Sequence, residues 1–167
     1  MTVEELAEQE SILIERVHAI NADIHEKIAM LEASDIFDEY RKIHDQYVHM
    51  AVADENLEAL KRAIFIQWFA LAEPAWLSGI GDLEPSTVSI ALSELRRRIL
   101  NGELDDEFRW MLQCYFNVQD AFITTHKEFD QLAEYFQGRQ WNQASIQKFS
   151  FDGRGQMGMY WSNRNDA

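Results

Sequence analysis

A chain of 167 residues that is 47% hydrophobic yet carries a net charge of −14 is long enough to bury a core without metal or disulfide staples. Its acidity opposes contact with phosphate backbones, which excludes nucleic-acid binding through a basic patch, and its single cysteine, Cys114, excludes an internal disulfide. Ten Phe, five Trp and five Tyr against only two prolines point to an all-α fold: a helical bundle of about five helices, two of them long, with an irregular C-terminal tail.

The charge is unevenly spread. Residues 1–60 hold 15 Asp/Glu against 4 Lys/Arg, whereas residues 139–167 carry a net charge of +2. The opening MTVEELAEQES lacks a basic segment followed by an apolar run, so no secretion signal is expected and the cytoplasm is the expected compartment. From residue 2 to about residue 32 neither Gly nor Pro occurs, and Leu13, Val17, Ile20, Ile24, Ile28 and Leu31 recur at three- and four-residue steps. That spacing predicts one long amphipathic helix, with Thr2 and Glu5 placed as a capping box at its start. A second helix is predicted over 36–52, capped by Ser34 or Asp35, with Ile36, Tyr40, Ile43, His44, Tyr47, Val48 and Ala51 on one stripe.

Residues 57–79 form the most apolar run. Leu57, Leu60, Ile64, Trp68 and Leu71 share a stripe, and Ile66, Phe69 and Ala70 make the later turns apolar nearly all round. Such a helix belongs in a core or a membrane. Lys61 and Arg62 near its start, and Gln67, Glu73 and Pro74 further on, interrupt it before the roughly 20 residues that a bilayer crossing needs. It is therefore expected to be the central buried helix, capped by Asp54. After an anchored loop, Pro85 opens a fourth helix that runs to Asn101 and is closed by Gly102. A long fifth helix is predicted over 104–137, its stripe including Phe108, Leu112, Tyr115, Gln119, Phe122 and His126. The remainder, with Trp141, Phe149, Phe151, Tyr160 and Trp161, is too aromatic for a solvated linker and is expected to dock in part. The chain thus divides into a bundle domain, 1–138, and a tail, 139–167.

Three groups of residues have chemical potential. Glu15 and His18 stand three apart, the spacing with which helical carboxylate sites hold a metal; the sequence offers no second copy, and two surface residues are the simpler reading. His44, Gln119 and His126 are polar positions in apolar stripes, and together they define a candidate small-ligand pocket, although seven residues, or roughly 10 Å along a helix, separate the last two. A core network that fixes helix register is the alternative for these three. Glu73 sits at a helix C-terminus, where a carboxylate needs a cation, and Arg62, Arg96, Arg97 and Arg98 are the candidates. Phosphate loops, nucleophile elbows and Cys-x-x-Cys or His-Glu-x-x-His motifs do not occur.

The reading these observations favour is a non-enzymatic acidic protein that works through protein contacts, as a homo-oligomer or an adaptor, with no cofactor, nucleic acid or membrane. A metal- or small-ligand-binding bundle is the alternative. A further alternative is an acidic inhibitor or immunity-type protein that covers a basic partner.

Overall fold

A computed structural model describes residues 1–118 and 149–165. Among them the chain is all-α, with eight helices and no strand. In chain order these are α1 (Val3–Ala19), α2 (Ile24–Glu32), α3 (Ile36–Ala53), α4 (Leu57–Ala72), α5 (Ala75–Ser78), α6 (Pro85–Asn101), α7 (Asp106–Val118) and α8 (Gly155–Asn165). No helix among the described residues is long and apolar enough to cross a membrane.

The central position of α4 follows from its composition. Every residue from 59 to 68 is buried, and α3, α6 and α8 pack around it, while α1 lies against α3 and α8. The aromatic side chains of α4 reach both later helices: Trp68 stacks on Tyr115 with centroids 4.7 Å apart, and Phe65 lies 5.6 Å from Tyr160. Trp110 of α7 meets Trp161 of α8 at 4.4 Å. Trp161, with Phe151 and Met157, is part of the one hydrophobic core, so residues 151–161 close the bundle.

Local signals set most boundaries. Thr2 and Glu5 form the capping box at α1, Pro85 opens α6, and Gly102 ends α6 in the left-handed region at φ 70°. Three expectations need correction. The predicted helix 2–32 is two helices, because the chain turns at Ile20 and the Asp23 side chain accepts from the Glu26 N–H to start α2 afresh. The cap of α4 is Asn56, whose side chain accepts from the Ala59 N–H, and Asp54 is instead the last cap of α3. Residues 155–165, expected to be irregular, form a helix. Of the predicted helix 104–137, the part up to Val118 is α7, and its remainder lies outside the described residues, as does Trp141.

Candidate functional site

Two buried polar clusters flank α4, and they differ in how completely they are satisfied. The first joins five helices. Glu10 of α1 is 1% exposed; its Oε1 accepts from the Tyr47 hydroxyl of α3 at 2.5 Å and its Oε2 from the Gln156 N–H of α8 at 3.0 Å. Burial outweighs these hydrogen bonds and pushes the Glu10 carboxyl up to about 7. Arg62 of α4 donates to the Tyr47 hydroxyl, the Val3 carbonyl and Glu58. Arg154 bridges Glu58 and Glu107 at 2.5 and 2.6 Å, and Lys61 bridges Glu107 and Asp105 at 2.7 and 2.6 Å. Burial works against ionisation of Glu107, yet Arg154 and Lys61 hold its carboxyl below the ordinary range. A cluster whose charges are so fully paired and so enclosed is a structural lock.

Gly155 makes the lock possible. Its φ is 59°, and a Cβ there would stand 2.6 Å from the Glu10 carboxylate, so the first turn of α8 reaches Glu10 only because this residue has no side chain.

The second cluster contains the predicted ligand residue His44, wholly buried on α3 and 2.9 Å from Gln67 of α4, Nε2 to Nε2. Burial lowers the imidazole to about 4 against the opposing pull of Asp45, so the ring is neutral at pH 7. Its Nδ1 faces Asp45 Oδ1 at 3.8 Å; a proton on Nδ1 suits that carboxylate, which leaves Nε2 as the acceptor of the Gln67 amide N–H. Gln67 Oε1 then accepts nothing. Beside it opens a cleft of about 470 Å³ between α4, α5 and α6, lined by Gln67, Leu71, Ile80, Asp82, Leu83 and Val88 among others. That volume lies in the usual range for small-ligand sites.

The other ligand candidates, Gln119 and His126, lie outside the described residues. Glu15 and His18 are both exposed on α1, and no group of three or more His, Cys, Asp or Glu among the described residues could hold a metal ion. Glu73 caps the C-terminus of α4, but three of its expected cations are engaged elsewhere: Arg62 pairs with Glu58, and Arg97 and Arg98 pair with Glu94.

The outer face of α1 is the third notable feature. Glu8, Ile12 and Glu15 lie one turn apart and are exposed, Ile12 at 57%. The two carboxylates form no salt bridge among the described residues, and Ile24 and Met30 of α2 are exposed apolar side chains nearby in the chain.

Sequence reasoning missed the Glu10 lock, although two signals were present. Glu10 continues the spacing of Leu6, Leu13 and Val17, a carboxylate in an apolar seam, and Lys61 and Arg62 stand in the most apolar run of the chain. Compared with known proteins, the chain matches no family model, no curated protein and no solved structure.

Proposed function

We propose that this is a non-enzymatic acidic helical protein that works through protein contacts, and that its partner is a basic protein received by the outer face of α1 and α2. The observation that carries this reading is Ile12, a large apolar side chain 57% exposed between two carboxylates without ion pairs. An apolar anchor within a charged rim is the composition of a recognition surface. The inner cations Lys61, Arg62 and Arg154 are all committed to buried or half-buried carboxylates, so none of them offsets the acidity of this face. A second copy of the chain would bring like charges together here, which argues for a different and basic partner. An inhibitor or immunity-type role fits the same contact.

Photocrosslinking tests the reading. A benzophenone side chain at Ile12, in the native cell, is expected to yield one discrete adduct with a basic protein, and Glu8→Lys with Glu15→Lys is expected to abolish it. The same group at Leu100, a 73% exposed position on α6, is the control. An Ile12 adduct no stronger than that at Leu100, or one indifferent to charge reversal, would overturn the proposal. A self-adduct would favour the homo-oligomer instead.

A further inference from the structure

The cleft between α4, α5 and α6 has apolar walls and a single charged side chain. Leu71, Ile80, Leu83 and Val88 supply the walls, and Asp82, Ser89 and Gln67 supply the polar side chains. The amide of Gln67 is engaged by His44 and its Oε1 is enclosed, which leaves Asp82 as the charged group of the cleft. Asp82 is exposed, and its side chain forms no salt bridge or hydrogen bond among the described residues, while its main-chain carbonyl is held by Arg41 Nε at 3.1 Å. Arg41 has its own charge answered by Asp38 at 2.9 Å. The loop carrying Asp82 is thus fixed while the carboxylate stays free.

A ligand that complements a carboxylate on a protein of charge −14 must be positive and must bring donors. We infer that this cleft binds a small organic cation with an apolar body, an alkyl- or arylammonium, whose hydrocarbon part lies among Leu71, Ile80, Leu83 and Val88 and whose N–H groups turn toward Asp82. The site is remote in sequence from the α1 face and does not depend on the role proposed for that face. An anion of the same shape would meet the Asp82 carboxylate, and a neutral alcohol would gain the apolar burial without the charge pairing.

The inference predicts a ranking among three probes of equal chain length: hexylammonium, hexanol and hexanoate. In methyl NMR titrations of the full chain, hexylammonium is expected to give saturable shifts at Ile80, Leu83 and Val88, with at least tenfold higher affinity than hexanol, and hexanoate is expected to give none. Asp82→Asn is expected to reduce hexylammonium to the level of hexanol. Ser89→Trp places a large ring at an exposed residue that lines the cleft, so it is expected to block both ligands without disturbing the fold. Equal affinities for the three probes, binding indifferent to Ser89→Trp, or hexylammonium shifts as large at the remote, exposed Leu100 methyls as in the cleft would each overturn the inference. The last result would show general attraction of cations to an acidic surface.

Discussion

The two polar clusters beside α4 contain similar chemistry under different degrees of closure. Around Glu10, both of its carboxylate oxygens have donors and each cation a carboxylate, with Gln156 Oε1 the one atom of the named groups left buried without a partner, and the cluster ties together helices from opposite ends of the sequence. Around His44, one hydrogen bond is made, and Gln67 Oε1 and His44 Nδ1 are left without partners. The first cluster has its charges paired even where Arg154 and Gly155 line a cleft of about 320 Å³, whereas the second borders the cleft of about 470 Å³ with its pairing incomplete. Buried polarity holds the fold where it is fully paired, and leaves room for recognition where it is half paired.

The largest effect should come from opening the lock. Arg154→Ala leaves the Glu58 and Glu107 carboxylates facing each other without their shared cation, and loss of one partner from a buried pair costs about 3–5 kcal/mol. Urea unfolding is expected to show a loss toward the lower end, because Glu58 keeps 31% side-chain exposure and because Arg62 and Lys61 stay on the two carboxylates. A loss under about 1 kcal/mol would mean the bridge behaves as a surface pair and that α8 is held by its aromatic side chains alone.

Acidity separates the two clusters next. Glu10 binds its proton more tightly folded than unfolded, so its contribution to stability is full below about pH 4.5 and is lost as pH rises toward 7. His44 runs the other way: the folded chain resists protonating it, so its contribution is full above about pH 6.5 and is lost as pH falls toward 4. At 1.36 kcal/mol per pH unit, each amounts to about 3 kcal/mol, and between them the slopes cancel across the shared interval. Glu10→Gln should unmask His44, so that unfolding free energy rises by about 3 kcal/mol between pH 4 and 6.5. His44→Gln should show the opposite slope, falling by a similar amount between pH 4.5 and 7. A Glu10→Gln profile that tracks the unmutated protein would show that the carboxyl is not buried in solution.

Smaller changes sharpen the contrast. Gly155→Ala adds a side chain at a positive φ and against Glu10, with an expected loss of about 2 kcal/mol in thermal or chemical unfolding. The equivalent insult to the second cluster is milder: Gln67→Leu removes one hydrogen bond and leaves His44 Nε2 alone, at a cost of about 1 kcal/mol. Replacing both His44 and Gln67 with Leu should recover part of that cost, since neither residue would then leave a lone polar atom. If Gln67→Leu proves the more damaging of the two single changes, the ranking of the clusters is reversed.

Sequence legibility followed the range of the interactions. Caps and stripes act within a few residues, so Thr2 with Glu5, Pro85, Gly102 and the buried face of α3 were readable in advance. The break between α1 and α2 was hidden because Ile20 and Ile24 keep the helical spacing across it, and only Asn21 and Asp23 mark the turn. His44 was recognised as a polar residue in an apolar row, yet its partner Gln67 was noted only as an interruption. The lock was illegible for a stronger reason: Glu10 and Gln156 are 146 residues apart, and local spacing does not encode which distant backbone N–H a carboxylate will meet.

That separation also governs how the molecule assembles. At a synthesis rate of about 5–20 residues per second, α1 exists for roughly 7–30 seconds before α8 is made. Throughout that interval the stripe of Leu6, Leu13 and Val17 lacks its final cover, and a hydrated, ionised Glu10 interrupts what would otherwise be an unbroken adhesive surface. The same carboxylate then surrenders its water and accepts the first turn of α8, so the residue that interrupts the apolar stripe of the open chain also joins the ends of the closed one. Closure at such long range makes the last step of folding slow, and it places the hazard of misassembly in the chain that has been synthesised but not yet closed.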